Sequence, residues 1–440
     1  MTNSKSPHSQ SRENTGAGRG DRGQPAGVLS FGQARQRVED EAARVRSRGR
    51  ELLGLLDAVG RVLAEPIHAD RDYPPFPRAT RDGYAIRAGD LGKSRAELEI
   101  VGEAKAGGAP PADLVEDGQA VAIMTGAPVP RGADAVVMME HAARAGNRVR
   151  VEKEVRPEEN IVPAGREARR GEELVSSGAR LGYAEVAIAA SVGRSRVLVC
   201  AKPQVAVLST GDEVVDIDVE PAANQIRNSN AYSLAAQIQA AGGDPRLLPI
   251  APDEPGRLRE LLGEGLESDL LLVSGGVSMG KYDLVEPVLA ELKAEFFFTG
   301  AQIQPGKPIV FAGIPQSQER RLARDEERYR YFFGLPGNPV STMVTFELFA
   351  KPMLQALAGM APQPLIFTCA RLKSVIRTQT GLKRFLPALV SGRFEHSEVE
   401  LAGWQGSGDI ASVARSNSFV VIPPDRERIE AGEWVPVLLR

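Results

Sequence analysis

The chain has 440 residues, 42% hydrophobic and 25% charged, with a formal net charge of -3. That composition fits a globular protein of roughly two to four domains. The near-neutral total charge excludes a molecule built to neutralise a nucleic-acid backbone, although a local basic pocket for a small anion remains open.

Residues 1–27 are rich in Ser, Arg and Gly, lack the apolar core of a signal peptide, and read as a disordered tail. From Phe31 to about Arg48 the residues Phe31, Ala34, Val38, Ala42 and Val45 recur at helical spacing, with Ser30 as a cap. The run Tyr73-Pro74-Pro75-Phe76-Pro77 cannot be regular helix, because each proline removes a donor and restricts the residue before it. Residues 74–158 read as an inserted β-rich module of short strands between Gly and Pro turns, separating 28–73 from 159–196 of an N-terminal linking domain. From 197 to 361 the pattern is β-α-β, which predicts a central doubly wound α/β domain with helices on both faces and ligands at the carboxyl ends of its strands. The charged stretch between Ile314 and Tyr331 reads as a solvated hairpin tip. Residues 362–440 return to strand texture with no clear helix, as a C-terminal β-barrel-like domain. No apolar run reaches the ~18–20 residues of a membrane span.

Four loops of the α/β region carry the chemistry. Ser209-Thr210-Gly211-Asp212-Glu213 follows a strand, and Arg227-Asn228-Ser229-Asn230 precedes a helix where free N–H groups favour an anion. Ser274-Gly275-Gly276-Val277-Ser278-Met279-Gly280-Lys281-Tyr282-Asp283 pairs glycines that let backbone N–H groups approach a ligand. Leu335-Pro336-Gly337-Asn338-Pro339 suits a tight turn opening a helix. Each loop alone reads equally as a turn or a cap; several converging on one sheet edge make a binding site. Pro305-Gly306-Lys307-Pro308 holds a cation between prolines, either as a surface lysine or as an oxyanion ligand. The two cysteines, Cys200 and Cys369, suit a reducing cytoplasm, and the four histidines are scattered without zinc-ligand spacing.

Together the segments PPFPRATRDGYA (74–85), MTGAPVPRGADAVV (124–137), LSTGDEVV (208–215), SGGVSMGKYD (274–283), QPGKP (304–308), GLPGNPVS (334–341) and QGSGDIASVARSNSFVVIP (405–423) resemble the molybdopterin molybdenumtransferases, the MoeA proteins and the gephyrin E domain. The resemblance covers nearly all of 28–440. It implies an elongated homodimer with a cleft lined by both subunits, and leaves room for contacts with other proteins of the same cofactor pathway. It implies insertion of molybdate into adenylylated molybdopterin with release of AMP, assisted by Mg2+ or a similar divalent cation. By position it assigns catalytic roles to Asp82, Thr125, Glu185, Asp212, Asp283 and Lys307, with Asp283 and Asp82 as metal ligands. Ser274, Gly275, Gly276, Ser278, Asn228, Pro336, Gly337, Asn338 and Ser407 become the substrate cradle.

The chain departs from the best-known members by carrying Gln304 where they have lysine, and Arg227-Asn228 where they have Tyr-Asp. Arg166, Arg227 and Arg384 are the candidates to replace missing cations. Two alternatives stand beside the enzyme reading. A molybdopterin adenylyltransferase shares the 274–283 loop and the LPGNP turn but does not need the flanking modules. A non-catalytic scaffold would keep the fold and lose the chemistry.

Overall fold

The computed structural model describes residues 27–92, 97–109, 114–276, 285–315, 329–360, 363–393 and 395–440. The tail 1–26, the loop residues Ser278 and Asp283, and the charged stretch 316–328 lie outside the described residues. Among the described residues no helix is long and apolar enough to cross a membrane.

The centre is a six-stranded sheet in the order Asp244–Leu247, Gln204–Ser209, Leu270–Ser274, Tyr329–Leu335, Val310–Pro315, Glu295–Phe298. The first four strands are parallel. Val310–Pro315 runs antiparallel to both its neighbours, so the sheet is mixed at one edge. Antiparallel neighbours need only a short connection, whereas parallel ones need a crossover. Residues 299–309 contain two short strands and no helix, so they supply no crossover there.

Alternation along the strands feeds two cores. Val205, Val207, Leu270, Leu272, Phe311 and Phe333 face one side, where they meet Phe31–Ala42, Ser229–Ala241 and the long segment Pro339–Leu357. Ala206, Leu208, Leu271, Val273, Val310 and Phe332 face the other, against Pro255–Gly265 and Val285–Glu291. This is the doubly wound arrangement that the β-α-β pattern implies.

The segment from Pro339 is α-helical to Thr345, a π turn over Phe346–Ala350, and α-helical again over Lys351–Leu357. Pro352 has no N–H for the carbonyl of Leu348, four residues back. Arg35 Nη1 donates to that carbonyl at 2.6 Å, and the same guanidinium reaches Glu39 at 2.6 Å and the Gln363 carbonyl at 3.1 Å. Helix Phe31–Ala42 therefore packs on the central sheet. Ser30 caps it by accepting from Gln33 N at 3.3 Å, and the helix ends at Ala42, short of Arg48. Residues 28–29 reinforce this by pairing with Gly300–Ala301.

Farther along, Arg50–Gly54 pairs with Arg196–Cys200 and Ile67–His68 with Glu173–Val175, closing a small core around Leu63, Ile67, Leu181 and Val199. Between those segments lies the β-rich module, a six-stranded sheet in the order Ala135–Met138, Gly83–Ile86, Gln119–Ile123, Glu97–Ala104, Arg148–Val151, Ala142–Ala145.

At the C-terminus five strands close a barrel: Lys383–Arg393, His396–Leu401, Phe367–Leu372, Trp434–Leu439, Ser418–Ile422 and back to the first. The barrel also contains one helix that its texture did not announce, Ile410–Arg415, started by Asp409 accepting from Ser412 N at 3.1 Å. Six residues span too few turns for periodicity to register.

Replacing Arg35 by methionine leaves the Leu348 carbonyl buried without its donor, and costs about 1–3 kcal/mol of stability. Urea unfolding checks this; an unchanged midpoint would remove Arg35 from the account of the π turn.

Candidate active site

Three parallel strands end side by side. Ser209 stands opposite Ser274, and Ser274 opposite Leu335. The ladder runs one residue further, since Thr210 N donates to Ser274 O and Gly275 N to Leu335 O, each at 3.1 Å. The loops therefore leave from one line and open a cleft of about 510 Å3 at the carboxyl edge of the sheet. Its volume is within the range of small-molecule sites.

The glycine loop forms one wall because nothing larger fits. Gly275 and Gly276 have φ of +94° and +60°. A Cβ on Gly275 would stand 2.9 Å from the Thr210 carbonyl oxygen, and one on Gly276 would stand 2.8 Å from Thr210 Oγ1. Gly337 from the Pro-Gly-Asn turn comes in beside Gly275. Backbone is thus presented to the cleft with no side chain between.

Opposite, Asn228 caps helix Ser229–Ala241, its Oδ1 accepting from Ala231 N at 3.1 Å and from the Ser209 hydroxyl at 2.9 Å. Asn230, in the first turn, bridges the other two loops. Its Nδ2 donates to Ser274 Oγ at 2.8 Å and to the Gly337 carbonyl at 2.7 Å. A carbonyl only accepts, so the amide orientation is fixed, and Asn230 Oδ1 is left buried without a donor among the described residues. Thr210 Oγ1 is likewise buried without a partner among the described residues. Both residues line the cleft. Buried polar atoms normally find partners, so two orphans in one cleft mark a place where a ligand completes the hydrogen bonding.

One rim is acidic. Asp212 Oδ1 accepts from Asp253 N at 3.1 Å, and Glu213 and Asp253 line the cleft. Partial desolvation, then the charges of Asp212 and Glu213, push the Asp253 carboxyl above its ordinary value. Arg227 also lines the cleft, but its guanidinium is engaged with Glu220 at 2.8 Å and the Val219 carbonyl at 3.2 Å. Among the described residues no group of three or more His, Cys, Asp or Glu is arranged to hold a metal ion by itself. The oxygen donors at this rim fit a hard cation that takes one or two carboxylates and completes its shell with substrate phosphates.

Eight of the residues singled out by sequence line the cleft: Arg227, Asn228, Ser274, Gly275, Gly276, Pro336, Gly337 and Asn338. Asp212 lies between the lining residues Gly211 and Glu213, and Lys307 precedes the lining Pro308. Lys307 is exposed and its side chain has no partner among the described residues. Ser407 stands at the first turn of Pro339–Thr345, where its carbonyl accepts from Val340 N at 3.0 Å. The cleft of a single protomer does not include Asp82, Thr125 or Glu185. Asp82 and Thr125 are joined in the β-rich module, with Thr125 N donating to Asp82 Oδ1 at 2.6 Å. That bond, with the Thr125 hydroxyl, holds the Asp82 carboxyl below its usual range. Glu185 accepts from Gly182 N at 2.8 Å and caps helix Tyr183–Ser191.

Sequence reasoning passed over Thr210, Asn230 and Asp253. The first two lay inside loops already singled out. Asp253 belongs to a further loop at the same sheet edge, after Asp244–Leu247, and nothing in its residue types advertised it.

The raised pKa of Asp253 has a consequence for stability. Its ionised form is disfavoured on folding, so it opposes stability above the folded-state pKa and ceases to do so as pH falls through it. Asp253→Asn should raise the melting temperature at neutral pH, with the gain shrinking as the pH is lowered into the carboxylate range. A gain that persists at low pH, or none at neutral pH, contradicts the account of an Asp253 carboxyl raised by desolvation and by its acidic neighbours.

Known proteins share this architecture. The family model described as the MoeA N-terminal region (domain I and II) matches residues 29–193, that of a probable molybdopterin binding domain matches 206–356, and that of the MoeA C-terminal region (domain IV) matches 370–439. A molybdopterin molybdenumtransferase of Nostoc sp. is 34% identical over 398 residues, covering 88% of each chain. Another, from Synechococcus elongatus, is 32% identical over 420 residues, covering 93% of this chain and 99% of the relative. Among solved structures, a molybdopterin biosynthesis moeA protein from Pyrococcus horikoshii aligns with a TM-score of 0.73 at 29% identity, over 94% of this chain and 100% of that one. On these grounds the chain belongs to the MoeA family of molybdopterin molybdenumtransferases.

Proposed function

We propose that this chain is the enzyme that inserts molybdate into adenylylated molybdopterin, yielding the molybdenum cofactor and AMP. The observation that carries the proposal is the glycine cradle at the aligned ends of three strands, with the orphaned Thr210 Oγ1 and Asn230 Oδ1 inside it. Backbone N–H groups and the helix start at Ser229 suit the phosphates of the pterin substrate. Molybdate is a tetrahedral dianion, and Lys307, with no partner among the described residues, supplies a cation beside the cleft. The dithiolene sulfurs of the substrate take the molybdenum, so no protein thiol is required. Cys200 belongs to a different, very small crevice, and neither cysteine lines the cleft.

Mg2+ fits the acidic rim, with Asp212 and Asp253 as its protein ligands and substrate phosphates as the remainder. Bound there it would polarise the phosphoanhydride and favour its cleavage. The chain's own residues do the rest. The cradle orients the pterin phosphate, Asn230 ties three loops into one surface, and the crowded glycines leave the anhydride close to backbone donors. A reducing cytoplasm suits the free cysteines and the dithiolene. The adenylyltransferase alternative leaves the β-rich module and the barrel without a task.

Asp82 and Thr125 fit the same reaction if the cleft is shared by two copies, the β-rich module of one protomer reaching the cradle of the other.

One experiment addresses both points. The purified chain with adenylylated molybdopterin, Mg2+ and molybdate should release AMP only when molybdate is present. Asp82→Asn and Lys307→Met should each be nearly inactive alone, while mixed and re-associated they should recover part of the activity, because one cleft of each mixed dimer is intact. AMP release that ignores molybdate contradicts the enzyme reading. Inactive mixtures that have exchanged subunits contradict the shared cleft alone.

A further inference from the structure

Besides the Ser407 carbonyl on Val340 N, the barrel reaches the surroundings of the cleft through a joint at Gln304. Strand Lys383–Arg393 closes the barrel against His396–Leu401 and Ser418–Ile422. At its start it also takes Ile303–Gln304 as a parallel neighbour, with Gln304 opposite Arg384. Arg384 is only 6% exposed and has no ion-pair partner among the described residues. Its Nε donates to Gln304 Oε1 at 2.7 Å, and its Nη1 donates to the carbonyls of Gln379 and, at 3.1 Å, Leu382. A guanidinium held out of water by neutral acceptors is costly, and an apolar side chain would fill the space with less desolvation. What an apolar residue could not do is hold Gln304.

Immediately after Gln304 the chain makes the turn that carries Lys307. Gly306, at φ +103°, lies so close to the Thr345 side chain that a Cβ has no room. Thr345 ends the helix whose first residue, Pro339, lines the cleft. The Lys307 carbonyl accepts from Ala301 N and Ile309 N, each at 3.0 Å. The turn is thus pinned by a helix at Gly306 and by backbone at Lys307, and its entry is pinned by the barrel through Arg384.

We propose that the Arg384–Gln304 hydrogen bond is the joint through which the barrel sets the position of Lys307, which makes Arg384 a positioning residue for the oxyanion end of the cleft. The proposal rests on the reading of Lys307 as the cation for molybdate. It assigns Arg384 no contact with molybdate. Its Nε and Nη1 are committed to the joint, and its effect passes through the 304–308 backbone.

The test is steady-state AMP release by the full chain, with molybdate and adenylylated molybdopterin varied separately, for wild type, Lys307→Met, Arg384→Lys, Gln304→Leu and Gln304→Glu. Arg384→Lys keeps the charge but not the bonding pattern, and Gln304→Leu keeps the arginine but removes its acceptor. Each should raise the molybdate KM by about ten-fold, the scale of one lost hydrogen bond to a charged group, with a much smaller change for the pterin. The double variant Arg384→Lys/Gln304→Leu should be no worse than either single change, because both break one contact. Gln304→Glu restores an acceptor and should recover most of the molybdate KM lost in Gln304→Leu. If Arg384→Lys fails to fold, the two Gln304 variants decide the matter. An unchanged molybdate KM in Gln304→Leu, or equal increases for both substrates, overturns the proposal. Should Lys307→Met instead stay active with the wild-type molybdate KM, the underlying reading of Lys307 fails, and the two failures are distinguishable.

Discussion

The cleft depends on one steric constraint: three strand ends in register, with no room for a side chain where the middle strand turns. Thr210 occupies the space that a Cβ on Gly275 or Gly276 would need. Backbone therefore faces the cleft directly, and Asn230 spans from one loop to the two others. Parallel strands buried on both faces make such an edge rigid, because each strand is held by packing above and below. The price of this arrangement is two buried polar atoms without partners among the described residues, which is the kind of deficit that a bound ligand relieves.

The rest of the chain braces that edge. Helix Phe31–Ala42 supplies Arg35, which satisfies the carbonyl left open by Pro352 in the long helical segment leading from the Pro-Gly-Asn turn. The barrel contributes the Ser407 carbonyl at the start of that segment and Arg384 at the entry to the Lys307 turn. The β-rich module joins Asp82 and Thr125, the pair proposed to complete the cleft of a second copy, by a short hydrogen bond at an exposed turn. A reaction that joins a bulky nucleotide-bearing pterin to a small oxyanion fits such a division, with a rigid cradle for one substrate and a cationic turn, pinned by helix and barrel, for the other.

Much of this was legible in the sequence because the periodicities are strong. Alternating apolar runs between helical stretches announced the central sheet, and paired glycines or Pro-Gly-Asn announced the loops at its edge. What escaped were features set by contacts between distant residues. Arg35 and Leu348 lie 313 positions apart, and nothing local says that one completes the other's helix. The antiparallel strand Val310–Pro315, next to the edge, has the same apolar texture as a parallel one. Asp253 looks like any loop aspartate until Asp212 and Glu213 are brought beside it. Arg384 was visible as a cation in the right part of the barrel, but its bond to Gln304 follows from strand register, which the sequence does not display.

The most direct measurement is calorimetric titration of adenylylated molybdopterin into the wild-type chain and into Gly275→Val, with circular dichroism confirming that the variant is folded. If the glycine cradle holds the pterin phosphate, the variant should bind at least about 100-fold more weakly, a loss of roughly 2.7 kcal/mol. Wild-type affinity in a folded Gly275→Val would contradict the account, because the substrate would then have to bind elsewhere than at the aligned strand ends.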